Sequence, residues 1–397
     1  MGSKPSKTPR PAPAKGQTTT VPRIPQDVID EILDHLAADS GQAFTGSLRS
    51  CALVSKSWVP SCRRHLFRTV VFASGDIPRW LRTFPAPEEG PARHVRDLQF
   101  SVGIRDSAPK GFFDHTPWFV NVKRVTLLGR GRWMPFVWRL PQSVTSLTLN
   151  MEVATLLQVR DITRDLPDLV DLSLSGSVVT VDRGTSSGIG RILVGRFSGK
   201  LQLRWGFANK DIMNMLLEIP TGLHFSEVQI CATRECLLST VRIAAACGEN
   251  LVKLSYTASF ARRFRPSHGR ADSSARNLET DATPDLDGYE DFERSFDFSK
   301  CPNLKEVNLG VGWKCKELSW IPVALSTLRS TTTPHLSVLR LDFSDPLAVA
   351  IEGMLGDLRQ IADEVTRIEQ EFEGAVSFTV VRDPVFKVIL HVLNVRF

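Results

Sequence analysis

The feature that most constrains this chain is a short unit, apolar-x-x-apolar-x-apolar, that recurs from residue 95 almost to the end of the sequence. It stands at Val95/Leu98/Phe100, Val122/Val125/Leu127, Val144/Leu147/Leu149 and Leu169/Leu172/Leu174. It returns at Phe225/Val228/Ile230, Leu251/Leu254/Tyr256, Leu304/Val307/Leu309 and Leu336/Leu339/Leu341. Leu201/Leu203 and Phe378/Val380 are weaker copies. Through Leu254 the copies lie roughly 22 to 29 residues apart, the period of stacked repeats that cannot bury an apolar face alone. A gap of about twice that length follows, which predicts one unit replaced by an insertion. The i, i+2 spacing of the last two apolar residues predicts one strand per repeat, both side chains pointing into a shared core. Between strands, residues 211–219 and 237–246 have helical spacing. A long helix at about 346–372 and a strand at 376–381 are expected to close the end of the stack.

This pattern resembles leucine-rich repeats of an irregular kind. After the strand the family consensus continues to a buried Asn or Cys, which Asn150, Ser175 and Gly310 do not follow. The resemblance implies an α/β solenoid, with helices on the convex side and a concave strand face that holds partners. The residues between the two strand apolars face away from the core: Gln99, Thr126, Thr148, Ser173, Gln202, Gln229, Ser255, Asn308, Arg340 and Thr379. Nearly all are polar and uncharged, as any solvated strand face would be. Arg340 is the one charge among them, and its guanidinium fork can grip an anion at two points. Ser255, Asn308 and Arg340 are the expected target-binding residues.

Ahead of the repeats, residues 23–72 read as a small module of three helices. IPQDVIDEILDHL places Val28, Ile29, Ile32, Leu33 and Leu36 on one helical face, with Pro25 suited to the first turn and Asp27 and Glu31 to its dipole. A polar loop at 37–47 is followed by Leu48, Cys51, Leu53, Val54 and Trp58, and Leu66 with Phe67 ends a third short helix. So small a module buries little core and leans on a neighbour or a partner. Ile24, Pro25 and Asp27, then Val54-Ser55-Lys56-Ser57-Trp58 and the ending RRHLFRTVVF, resemble the F-box family in its fungal form. Ile24 replaces the usual leading Leu, and Ser55 stands where Cys is common. The resemblance implies docking onto the Skp-type adaptor of a cullin–RING ubiquitin ligase through Ile24, Pro25, Val28, Ile32, Leu33, Val54 and Trp58. It also implies a non-catalytic substrate receptor for an unknown protein target. The alternative is a repeat-based interaction scaffold with no ligase link, its helices serving only as a cap.

Composition sets the remaining bounds. Of 397 residues, 42% are apolar and 23% charged, which are globular values. The net charge of +6 is partly local: Lys4, Lys7, Arg10, Lys15 and Arg23 lie in an acid-free tail rich in Pro, Thr and Ala. Residues 1–22 are therefore expected to be a disordered basic tail rather than a nucleic-acid-binding element. The start Met1-Gly2-Ser3-Lys4-Pro5-Ser6 fits the loose myristoylation pattern, which a basic tail also produces by chance. Without a long apolar span, the expectation is no membrane association. Seven scattered cysteines with no CxxC pair suit a reducing compartment, cytoplasmic or nuclear. Residues 262–294 are rich in Ser, Asp, Arg and Gly, basic first and acidic after, and read as a disordered insertion.

No catalytic motif survives scrutiny. Residues 184–188 match GxSxG, but the flanks lack the apolar strand and the helix that a nucleophile elbow needs. Residues 195–200 contain Gly-Lys, yet Leu201 replaces the Ser or Thr of a phosphate loop. The eight histidines form no metal-ligand spacing, so neither metal nor cofactor is expected.

Overall fold

In the computed structural model, which describes residues 24–38, 42–73, 76–86, 90–102, 118–132, 140–154, 156–178, 193, 195–205, 210–233, 236–258, 298–312, 318–343 and 351–381, every apolar unit forms a strand. The chain divides into two compact units, Met1–Leu66 and Phe67–Phe397.

The second unit is α/β, built on one parallel sheet of 11 strands in which each strand pairs with the next in sequence. The strands are β1 (Thr69–Ala73), β2 (Asp97–Val102), β3 (Arg124–Arg132), β4 (Ser146–Ala154), β5 (Asp171–Val178) and β6 (Lys200–Trp205). They continue as β7 (Glu227–Ala232), β8 (Lys253–Ala258), β9 (Glu306–Val311), β10 (Val338–Asp342) and β11 (Ser377–Val381). The two apolar residues of each unit are buried, from Leu98 and Phe100 to Leu339 and Leu341. Among helices on this core are α4 (Asp76–Thr83), α5 (Leu156–Thr163), α6 (Lys210–Leu217), α7 (Leu237–Cys247), α8 (Trp320–Ser326) and α9 (Ile351–Glu371). Ile212, Met213 and Leu216 of α6, Ile243 of α7, Ile321 of α8 and Ile361 and Val365 of α9 share the strands' core. The helices therefore cover the apolar face of the sheet, and among the described residues no helix lies on the polar one.

Register is set at the mouth of most strands by one carbonyl that accepts two successive N–H groups from the next strand. Arg68 O accepts from Arg96 and Asp97, Arg96 O from Lys123 and Arg124, and Lys123 O from Thr145 and Ser146. Ser226 O, Val252 O and Lys305 O repeat the device further along. Between β5 and β6 it changes. Gly199 N still donates to Val170 O, but Lys200 N donates to Asp171 Oδ1 at 2.8 Å. A Cβ on Gly199 would fall 2.1 Å from that same oxygen, so only glycine lets the carboxylate in. Two residues earlier, Phe197 is fully buried at φ 45°, a left-handed conformation held by core packing.

Two boundaries differ from the sequence reading. A helix begins at Gln42, inside the polar loop expected at 37–47. The division expected after Phe72 falls after Leu66, because Phe67, Val70 and Phe72 are themselves a full copy of the apolar unit: Val70 and Phe72 are buried in the sheet core and Phe67 packs on it. Around them Trp80 of α4 meets Phe72 edge-on at 5.2 Å and Phe84 at 4.8 Å, an aromatic plug at the first strand. After Leu254, β8 pairs directly with β9, Leu254 opposite Val307, as expected of a unit replaced by an insertion. The expected insertion at 262–294 and the expected tail at 1–22, with its myristoylation pattern, lie outside the described residues, as does the GxSxG stretch.

The first unit holds α1 (Gln26–Ala38), α2 (Gln42–Val54) and α3 (Val59–Leu66). Ile29, Leu33, Leu48 and Cys62 form its buried core, with Leu36, Cys51, Trp58 and Leu66 against it. Pro25 stands one place before α1, its carbonyl accepting the first helical bond from Ile29 N at 3.2 Å. A polar triad joins α1 to α3: Gln26 Nε2 donates to Ser61 Oγ and Asp30 Oδ1, both at 3.0 Å, and Ser61 Oγ donates to Asp30 Oδ1. The hydrogen bonds from Ser61 and then Gln26 hold the Asp30 carboxyl below the ordinary carboxylate value.

Candidate functional site

Each unit presents a surface of its own. On the helical unit the apolar residues of α1 split into two lines. Ile29, Leu33 and Leu36 turn inward, whereas Ile24, Val28 and Ile32, spaced four apart, remain 52%, 39% and 39% exposed. At the end of α2, Leu53 and Val54 are exposed at 88% and 68%. Ile24, Pro25, Val28, Ile32 and Val54 are thus outward, as a docking role requires. Leu33 is not: it is fully buried and belongs to the core, because the apolar stripe of α1 is wider than the face its neighbours cover. Trp58, in the turn between α2 and α3, packs half-buried on that core and serves the fold first. Leu53 was missed as a surface residue, since in sequence it looked like one more core position. Beside the apolar line, Asp27, Asp30, Glu31, Asp34, His35 and Arg64 line a charged depression.

On the sheet, the residues between the strand apolars form one continuous row. Gln99, Thr126, Thr148 and Ser173 sit opposite one another, followed by Gln202, Gln229, Ser255, Asn308, Arg340 and Thr379. Ser173, Gln202 and Gln229 hydrogen-bond in series at 2.9 and 2.6 Å, which occupies the middle of the row. The parallel row at the strand starts alternates in sign along Asp171, Lys200, Glu227, Lys253 and Glu306. Its charges pair with each other: Arg124 with Asp97 at 2.5 Å, Lys200 with Glu227 at 3.9 Å, Lys253 with Glu306 at 2.7 Å. Among the described residues this row presents no one-sign field for a phosphate backbone.

Toward β10 the self-pairing stops. Lys200, Glu227, Gln229, Lys253, Ser255, Thr257, Asn308, Gly310, Arg340 and Asp342 line a groove of about 310 Å³. The structure thus brings the expected residues Ser255, Asn308 and Arg340 together on adjacent strands in one groove. Asn308 Nδ2 donates to Glu306 Oε1 at 3.1 Å, but its Oδ1, like Asp342 Oδ1, is shielded from solvent and accepts no hydrogen bond among the described residues. Burial pushes the Glu306 carboxyl up, yet hydrogen bonds from Lys253 and Asn308 and the positive charges of Lys253 and Arg340 outweigh it and leave it below its ordinary value. Thr257, Gly310 and Asp342 were not singled out in sequence, because they lie two residues beyond the row that the repeat marks.

Among the described residues no group of His, Cys, Asp and Glu is placed to hold a metal ion, and no helix is long and apolar enough to cross a membrane. Trp118 packs on the sheet core, while Trp133 and Trp138 lie outside the described residues. The chain matches no protein-family model and no curated protein sequence.

Proposed function

We propose that this chain is a substrate receptor of a cullin–RING ubiquitin ligase, an F-box-like helical unit followed by an irregular leucine-rich-repeat-like solenoid. The helical unit binds a Skp-type adaptor, and through it a cullin; the polar strand face holds a protein target. It does no chemistry itself and acts by raising the target's local concentration at the ligase.

One observation carries the reading. Five of the eight large apolar residues exposed among the described residues, Ile24, Val28, Ile32, Leu53 and Val54, belong to the small helical unit. Apolar surface gathered on so small a unit marks a protein-binding face. Four of the five, all but Leu53, are residues that the F-box-like resemblance implies for docking. Co-expression of the full chain with a Skp-type adaptor tests it: the adaptor co-purifies, and Val28→Asp with Ile32→Asp abolishes capture while thermal unfolding of the sheet unit is unchanged. Undiminished capture by that variant refutes this docking face. An adaptor that never co-purifies leaves the ligase-free scaffold as the better account.

A further inference from the structure

We propose that the groove at β8–β10 holds an acidic residue of an extended peptide segment, its carboxylate on Arg340 and its flanking backbone N–H groups on Asn308 and Asp342. This rests on the strand face being the target-binding half of the protein.

The groove's own pairings leave a short inventory. Lys253 is committed to Glu306 at 2.7 Å and Lys200 faces Glu227 at 3.9 Å, whereas Arg340 is exposed and makes no ion pair or hydrogen bond with a described residue. Two acceptors stand without donors among the described residues, Asn308 Oδ1 and Asp342 Oδ1. Asn308 lies directly opposite Arg340, and Asp342 follows on the same face one step along β10. The terminal torsion of Asn and Asp is soft, so a small turn presents either oxygen to an occupant. The floor beside them is open because residue 310 is glycine: a Cβ there would sit 3.0 Å from Thr257 Oγ1 and 3.4 Å from Asp342 Cβ.

This inventory selects the occupant. A guanidinium whose charge reaches Glu306 but which makes no ion pair or hydrogen bond with a described residue matches one carboxylate, held by two parallel hydrogen bonds. A phosphate dianion would need a second free cation and would meet Asp342 and the paired Glu227 and Glu306 as well. The two orphan oxygens call for two N–H donors close to that carboxylate. An acidic residue inside a chain supplies them, its own amide and the next, on either side of its Cα. A chain-terminal residue supplies one and leaves a buried acceptor unmet. Five strands at about 4.8 Å spacing span roughly 19 Å, the reach of about six extended residues.

The test is selection of random seven-residue windows, displayed between flexible spacers so that neither end is free, against the full chain. The recovered windows share Asp or Glu at one fixed position. A capped synthetic peptide of that sequence loses affinity about tenfold or more when the acid becomes its amide, and again on Arg340→Gln, consistent with charge-assisted hydrogen bonds. Because Arg340 is exposed, that variant keeps its thermal unfolding midpoint; Gly310→Val, which fills the floor, gives a second loss. Windows without a fixed acid, no windows at all, equal binding by Arg340→Gln, tighter binding of the phosphoserine peptide, or preference for a free C-terminal carboxylate each overturn the proposal. Adaptor capture is measured on the same preparation. Capture without window recovery sinks the groove alone, and recovery without capture sinks the ligase reading alone.

Discussion

Arg367 gives the most direct test of how the last repeat is held. Its guanidinium, about a quarter exposed, donates Nε to Glu364 Oε2 at 2.7 Å and Nη1 to Glu371 Oε2 at 2.6 Å within α9. Its Nη2 crosses to α8 and donates to the carbonyls of Leu325 and Leu328 at 2.9 and 3.0 Å. Leu325 O, in the last turn of α8, also accepts from Leu328 N at 3.0 Å, and Leu328 O lies just past the helix end, where a cation is favoured. Arg367→Met keeps most of the aliphatic stem and removes all four bonds. The two charged bonds to carbonyls contribute about 1.5 kcal/mol each, and each pair along the helix about 0.3–0.5 kcal/mol. The total is about 3–4 kcal/mol, and the loss falls somewhat short of it because Glu371 keeps its bonds from Ser330 N at 2.8 Å and Ser330 Oγ at 3.2 Å. Because repeats touch only their neighbours, the damage stays local. Native-state hydrogen exchange reads it: amides of α9 and β11 exchange faster by about two orders of magnitude, while β2 to β7 are unchanged. A loss under about 0.5 kcal/mol, or uniform acceleration across the sheet, refutes the reasoning.

Two further outcomes are expected. Gly199→Ala drives a methyl into Asp171 Oδ1 and to within 2.6 Å of Val170 Cγ1, so it destabilises by about 1–3 kcal/mol in denaturant unfolding; an unchanged midpoint would show that the strand mouth yields freely. Asp30, Glu306 and Glu371 all have carboxyls held below their ordinary values of 3.8, 4.5 and 4.5, so the stability they add is fully present above about pH 5 and lost as pH falls through their depressed values. Unfolding midpoints should be flat from pH 7 to 5 and drop below about 4, and Glu306→Gln should reduce that drop; a midpoint independent of pH down to 3 would remove these groups from the account.

The strands were legible because their signal is local: each unit carries its own two inward residues, and even the weak copies at Leu201/Leu203 and Phe378/Val380 became β6 and β11. The same rule applied to Phe67, Val70 and Phe72 marks β1. That copy was hidden by the competing helical reading of the residues just before it. Leu33 and Val28 were not separable in sequence, since both fit a helical stripe and only the position of α3 decides which is covered. Asn308 and Arg340 were found by position in the repeat. Asp342 and Gly310 matter through what adjacent strands leave unpaired, which a linear pattern does not encode.

The shared carbonyl at most strand mouths bears on how the protein is made. Every strand after the first finds its acceptor already in place on the strand before it, so the sheet can be laid down in the order of translation. At each moment the newest strand is an unpaired edge that will bind any extended chain. Most edges are covered within one repeat of synthesis. The longest wait is that of β8, roughly 48 residues between Ala258 and Glu306, a few seconds at about 5–20 residues per second. For that interval Lys253, at the start of β8, keeps a like-seeking strand at a distance, its partner Glu306 not yet having left the ribosome.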